Sequence, residues 1–136
     1  MISEKITVRM KKIILGIISL ILLAVVHASA QQKIQMVRLA KIQVDPGYLE
    51  QYNAALKEQM STAVKLEPGV LTYYAVADKN NRAHITILEI YADTAAYQSH
   101  IQTPHFKKYK ATVQNMVKSL ELVDVDLIGS ALNTRQ

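Results

Sequence analysis

Short strand-like segments that are apolar on both faces constrain the fold of this chain more than any other feature. Successive residues of a strand point to opposite faces of a sheet, so alternate positions describe the two faces separately. Segments 34–44 and 85–92 carry apolar residues on both sets of positions. One face would hold Met36, Ala40, Ile42, Ile85 and Ile87, and the other Val37, Leu39, Leu88 and Ile90. Helices of the same chain can cover only one face, so we expect a homodimer in which two sheets pack face to face.

The segment after the first strand predicts a long amphipathic helix. Asp45 can cap its start, and Pro46 suits a first helical turn. Apolar residues then recur every three or four positions over 48–66, as they do along one side of a helix. This stripe consists of Leu49, Tyr52, Leu56, Met60 and Val64. Pro68-Gly69 is expected to end the helix.

The next part of the chain predicts a hairpin and two short helices. β-branched and aromatic residues fill 70–77 and 85–92, and a polar turn separates the two segments. Asp93 can cap a helix that carries His100, and Thr103-Pro104 can start another. The apolar stripe of the second helix is Phe106, Tyr109, Val113 and Met116.

A final strand over about 120–127 completes the element order βαββααβ. Its apolar side changes between Leu122 and Val123, which predicts a bulge there. This order is typical of a ferredoxin-like α+β fold, an antiparallel sheet with helices on one face. We expect the domain to span 34–128 and a short C-terminal tail to span 129–136.

The first 30 residues have the pattern of a secretory signal peptide. Basic residues precede an apolar run over 13–26, and small residues follow at Ala28 and Ala30. We expect cleavage after Ala30 and a periplasmic or secreted protein; an uncleaved anchor is the alternative. Cleavage would lower the net charge from +5 to about +2, so no nucleic-acid surface is expected. The absence of cysteine excludes disulfides and a lipidated cysteine anchor.

Several motifs between positions 67 and 106 resemble those of one known family. They are Glu67-Pro68-Gly69, Tyr73, Glu89-Ile90-Tyr91, Ala96 to His100, and Thr103-Pro104-His105. Over about 37–127 the chain resembles the antibiotic biosynthesis monooxygenase family, and especially its small quinol-monooxygenase-like members. The resemblance implies a dimeric α+β barrel. It also implies that dioxygen oxygenates a quinol-like or phenolic aromatic molecule without a cofactor.

His100 and Glu89 are the candidate catalytic residues. An imidazole on the inner side of a short helix can exchange protons with a bound phenol, although a purely structural core histidine is the alternative. The resemblance favours the functional role of His100. Glu89 lies in an otherwise apolar strand and therefore needs a polar partner. It could orient His100, or it could pair with an arginine such as Arg38 on a neighbouring strand.

Tyr73, Tyr91, Tyr97 and His105 are the candidate substrate-binding residues. Neighbouring strand residues face opposite ways, so Tyr73 and Tyr74 cannot both line one pocket, and the resemblance favours Tyr73. His105 could close the mouth of the pocket or cap a turn. No metal site is expected, because the chain has neither cysteine nor an HxxxH pair.

The leading interpretation is a cofactor-independent monooxygenase in which His100 is the base and Glu89 and Tyr73 position the base or the substrate. Haem degradation is disfavoured. The haem-degrading relatives depend on a tryptophan and a first-strand asparagine, and this chain has neither. Two alternatives stay open: a module that binds a hydrophobic ligand without converting it, and an isomerase that uses the same histidine.

Overall fold

The computed structural model describes residues 34–131. Within this range, four strands and three helices follow one another in the predicted order. They are β1 (Met36–Val44), α1 (Leu49–Leu66), β2 (Val70–Ala77), β3 (His84–Tyr91), α2 (Thr94–His100), α3 (Pro104–Val113) and β4 (Val117–Val125). A short 3-10 turn, Pro46–Tyr48, joins β1 to α1, and the Asp45 carboxylate caps it by accepting a hydrogen bond from the Gly47 amide.

The strands form one antiparallel sheet with the order β2-β3-β1-β4. The fold is therefore the ferredoxin-like α+β arrangement that the sequence predicts. The two central strands, β1 and β3, place Ala40 opposite Ile87 and Arg38 opposite Glu89. Helix α1 packs against α3 and against the sheet, and the main core lies between these layers.

The bulge predicted within the last strand is wrong. β4 begins at Val117 and pairs with β1 without interruption through Leu122 and Val123. The register changes instead between Gln43 and Val44 of β1, near the start of β4. The apolar residues of β4 change sides simply because both faces of the sheet are apolar, so no extra residue is needed to turn them.

Helix α1 buries Tyr52 and Leu56 as predicted, but its buried side continues along Gln59 and Ala63. Val64, which the stripe predicts to be buried, is 49% exposed. Each helical residue advances by ~100°, so repeated steps of four rotate a stripe steadily around the helix. Alternating steps of three and four keep the buried residues on one side. As a result, the polar side chain of Gln59 lies in the interior.

Gly69 lets α2 lie directly against the start of β2. A Cβ atom at this position would be 2.6 Å from the Cβ atom of Ala96 in α2. An alanine Cβ is fixed to the backbone and cannot swing away, so a side chain at Gly69 would push the helix outward. The close approach therefore sets the position of α2, which ends at His100.

The sheet face turned away from the helices carries apolar residues, as the sequence predicts, and the Lys41–Glu121 ion pair lies on the same face. Leu39 and Leu88 lie opposite each other on this face and are half-buried. On the edge strand β2, Tyr74 is 57% exposed and Val76 is 64% exposed.

The predicted signal peptide at 1–30 and positions 132–136 of the predicted tail lie outside the described residues. Across positions 34–131, no helix is long and apolar enough to cross a membrane.

Candidate active site

A cavity of about 390 Å³ lies between the sheet and helices α1 and α3. Its volume falls within the ~300–1,000 Å³ that is usual for small-molecule sites. Most of the wall is apolar or aromatic, with Ile42, Ile87, Tyr52, Leu56, Phe106 and Tyr109 among the lining residues. The cavity therefore suits a small aromatic molecule.

Four polar side chains form a hydrogen-bonded row on the sheet side of this cavity. The Tyr91 hydroxyl donates to Oε2 of Glu89 over 2.9 Å. The Tyr73 hydroxyl oxygen lies 2.7 Å from that of Tyr91 and 2.9 Å from Nε2 of His100. Glu89, Tyr91 and Tyr73 line the cavity, whereas His100 does not and is hydrogen-bonded to Tyr73 behind the wall. We call this series the Glu89–His100 row.

The other nitrogen of His100 leads to a second polar cluster. Nδ1 of His100 lies 2.8 Å from Oε1 of Glu67, and Nε2 of His105 lies 3.0 Å from the same oxygen. Nδ1 of His105 lies 2.9 Å from Oε1 of Gln59, which lines the cavity. A continuous series of polar contacts thus joins Glu89 to Gln59, and both ends lie at the cavity wall.

Local structure explains how the row is assembled. Glu89 and Tyr91 are two residues apart in β3, so their side chains point to the same face of the sheet. Tyr73 lies directly opposite Glu89 in β2. His100 is the last residue of α2, and Asp93 caps the start of that helix by accepting from the Ala96 amide over 2.8 Å.

Burial shifts both ends of the row toward their uncharged forms. It raises the pKa of the Glu89 carboxyl, although the hydrogen bond from Tyr91 and the charge of Arg38 act in the opposite direction. It lowers the pKa of His100, which the hydrogen bond to Glu67 opposes. Burial also raises the pKa of the Tyr73 and Tyr91 hydroxyls, so both stay protonated at neutral pH.

The number of hydrogens in the row allows two arrangements. Its three contacts need three hydrogens, and the two tyrosines supply only two. If Glu89 is a carboxylic acid, it supplies the third, and both tyrosines donate toward a neutral His100. If Glu89 is ionised, Tyr91 donates to Glu89 and Tyr73 donates to Tyr91. The third hydrogen then lies on Nε2 of His100, which donates to Tyr73. His100 is then an imidazolium, because its Nδ1 also donates to Glu67. Transfer of one proton between the ends therefore reverses all three hydrogen bonds.

The family model for antibiotic biosynthesis monooxygenases matches residues 36–112, more than half of the chain. The chain belongs to the antibiotic biosynthesis monooxygenase family.

Solved structures agree with this membership. A candidate antibiotic biosynthesis monooxygenase from Bacteroides thetaiotaomicron is 55% identical, with a TM-score of 0.71, and the match covers 75% of this chain and 97% of that one. A candidate monooxygenase from Lactobacillus acidophilus is 32% identical, with a TM-score of 0.65, over 68% of this chain and 44% of that one. A Pseudomonas aeruginosa structure shares the fold at 19% identity and a TM-score of 0.67, over 74% of this chain and 100% of that one. No curated protein matches the chain.

In this family member, four of the predicted site residues line the cavity: Glu89, Tyr73, Tyr91 and Tyr97. Tyr74 points to the opposite face, as strand alternation requires. His100 does not line the cavity; it is joined to the wall through the Tyr73 hydroxyl on one side and through Glu67, His105 and Gln59 on the other.

Glu89 contacts neither of the two partners considered for it from the sequence. Its hydrogen bond comes from Tyr91, so it reaches His100 only through two tyrosines. Arg38 places its Nε 2.6 Å from Oδ1 of Asp124, and its guanidinium lies 4.4 Å from the centre of the Tyr97 ring. The positive charge of Arg38 still acts on Glu89 from the opposite strand.

Glu67 and Gln59 are two polar residues of the site that the sequence does not predict, and Lys110 at the cavity wall is a third. Glu67 contacts both His100 and His105, so it, rather than Glu89, orients His100. The turn motif that contains Glu67 indicates its importance but not its partner. His105 neither closes the cavity mouth nor caps a turn with its ring, because both ring nitrogens face Glu67 and Gln59.

The two histidines and Glu67 form a hydrogen-bonded cluster rather than a metal centre. Both imidazoles approach one carboxylate oxygen of Glu67 through a ring nitrogen. Over residues 34–131, no group of three histidine, cysteine, aspartate or glutamate side chains is arranged to hold a metal ion.

Proposed function

We propose that this protein is a cofactor-independent monooxygenase that acts on a quinol-like or phenolic aromatic small molecule. One observation carries the proposal. The Glu89–His100 row connects a carboxylate at the wall of an aromatic cavity to an imidazole in the interior. Membership of the antibiotic biosynthesis monooxygenase family supports oxygenation in general. The apolar wall supports an aromatic substrate.

Glu89 is the group placed to take the phenolic proton, because it lines the cavity and His100 does not. Its raised pKa suits this role, since a base works best when its pKa lies near the operating pH. The substrate anion then forms a carbon–oxygen bond to dioxygen. The oxygen–oxygen bond and the carbon–hydrogen bond of that ring carbon then break, so one oxygen atom stays on the ring as a carbonyl and the other leaves as water. The substrate supplies all the electrons. Glu89 returns the phenolic proton to the departing oxygen, and the proton of the ring carbon is the second hydrogen of the water. The apolar wall excludes the water that would divert the intermediates.

His100 acts through the two tyrosines as a positioning residue. When His100 holds the proton of the row, the tyrosines donate toward Glu89, which is then the carboxylate that can act as a base. When His100 gives up that proton, Glu89 becomes the acid. Glu67 holds a hydrogen on Nδ1 of His100. Nε2, which faces Tyr73, is therefore the nitrogen that gains or loses the proton of the row.

Dioxygen uptake by the purified protein, with a panel of hydroquinones and no added cofactor, tests the proposal. Glu89→Gln should slow uptake by roughly 10²–10⁴-fold, the usual contribution of a positioned base. Glu58→Gln is the matched control, because Glu58 is an exposed carboxylate of α1 that pairs with Lys108 outside the cavity. Binding without conversion would instead indicate a ligand-binding module. Conversion without dioxygen uptake would indicate an isomerase.

We also propose that the protein is a homodimer formed through the sheet face that the helices leave uncovered. Val76 on this face and Leu122 on the helix side are both exposed, at 64% and 49%, so a glutamate at either position need not unfold the chain. Val76→Glu should dissociate the dimer, and Leu122→Glu should leave it intact. Light scattering after size-exclusion chromatography measures both. A dimer that survives Val76→Glu and Leu39→Glu would refute packing through this face.

A further inference from the structure

Gln59 lines the cavity and carries a buried, unsatisfied polar group. The residue is 5% exposed, and its Nε2 atom is buried without a hydrogen-bond partner among residues 34–131. Gln59 also lines the cavity, in a wall that is otherwise largely apolar. A buried donor without an acceptor destabilises the fold, so such a group requires an explanation.

The orientation of the Gln59 amide follows from its neighbours. Its Oε1 lies 2.9 Å from Nδ1 of His105, and Nε2 of His105 lies 3.0 Å from Glu67. Nδ1 of His105 donates to the amide oxygen of Gln59, and the amino group of Gln59 is left as the free donor.

We propose that the Gln59 amino group binds an acceptor oxygen of the substrate, either a carbonyl or a phenolate oxygen on the aromatic ring. The inference rests on the proposed function for the aromatic class of the substrate, and it adds what recognises a second oxygen. Glu89 approaches the cavity from the sheet as an acceptor, and Gln59 approaches from α1 as a donor. The two walls together select a ring with a hydroxyl facing Glu89 and an acceptor oxygen facing Gln59.

Two probes of equal ring size test this role without any turnover. 1,2-Naphthoquinone carries two acceptor oxygens on one edge of the ring, so both can face Gln59 and neither has to face Glu89, and naphthalene carries none. Equilibrium dialysis of the purified protein should show tighter binding of the quinone. Gln59→Met, which keeps the length of the side chain and removes the donor, should reduce that preference by about fivefold to tenfold. Gln51→Met, the same change at an exposed position of α1 that does not line the cavity, is the control and should preserve it.

Each result decides the inference separately from the proposed reaction. If Gln59→Met still binds the quinone more tightly than naphthalene, the inference is wrong, because the Gln59 amino group then binds only water and not the quinone oxygen. Failure of both probes to bind up to their solubility limits would overturn it as well. If the preference is lost, the inference holds even if no hydroquinone is oxygenated. Should Gln59→Met not fold, Gln59→Glu keeps an oxygen for His105 and replaces the donor by a second oxygen. It should lose the quinone preference too.

Discussion

Removal of one hydroxyl group, in Tyr73→Phe, tests the Glu89–His100 row most directly. This hydroxyl is the only link between Tyr91 and His100 in the row, with contacts of 2.7 and 2.9 Å. Phenylalanine keeps the ring and its packing but cannot carry a proton. Glu89 and His100 would then titrate independently, and the state of His100 would no longer set that of Glu89.

The size of the effect follows from the contacts. A typical hydrogen bond contributes about 1 kcal/mol net, so the loss of two should cost about 2 kcal/mol of unfolding free energy. For a domain of roughly 100 residues this corresponds to a fall in Tm of about 8–16 °C. Turnover per folded molecule should fall by roughly 10²–10⁴-fold if the row sustains general base catalysis.

Tyr52→Phe is the matched control for this experiment. Tyr52 also lines the cavity and is buried, but its hydroxyl contacts only that of Tyr109, at 3.0 Å, outside the row. We expect a loss of about 1 kcal/mol and nearly unchanged turnover. Tm and dioxygen uptake, measured on the same samples of both variants, decide the question. Equal losses of turnover in the two variants, or full activity in Tyr73→Phe, would refute the row as a proton path.

Gly69→Ala should cost about 1–3 kcal/mol, because the new Cβ would lie 2.6 Å from the Cβ of Ala96; an unchanged urea midpoint would contradict this. The contribution of His100 to the unfolding free energy should fall as pH drops below about 6.5, whereas Glu89, whose pKa is raised, contributes in the opposite direction as pH falls. Burial lowers the pKa of His100, so the unfolded chain binds the proton first, and His100→Gln should remove that part of the pH dependence. We propose that the protein is exported and that the mature form begins at Gln31. Mass spectrometry that finds segment 1–30 intact would indicate an anchored protein instead.

The fold was largely predictable because its signals are local. Asp45, Asp93 and Thr103 each accept a backbone hydrogen bond at a predicted cap, and strand alternation placed Tyr73 and Tyr74 on opposite faces. The error in helix α1 arose because its hydrophobic periodicity extends over several helical turns. The stripe toward Val64 followed apolar residues, whereas the helix buried the polar side chain of Gln59.

The site was harder to predict because its contacts join residues that are far apart in the sequence. Glu67 and His100 meet because the turn after α1 lies beside α2, and the close approach at Gly69 helps to bring these segments together. The sequence shows an acid and a histidine but gives no means of pairing Glu67, rather than Glu89, with His100. The position of His100 behind Tyr73 likewise depends on the tertiary packing of α2 against the sheet.

The balance of charge explains why a carboxylate can act as a base in this interior. Burial alone would keep Glu89 protonated and inactive, since it raises the pKa of that carboxyl. Ionisation of Glu89 by proton transfer to His100 leaves the total charge of the row unchanged, so the interior has to tolerate only a separation of charge. The resulting His100 imidazolium contacts Glu67 directly. On its other side, two tyrosines connect it to the ionised Glu89. Glu67 therefore stabilises the ionised arrangement on which the proposed chemistry depends, although it lies away from the cavity wall.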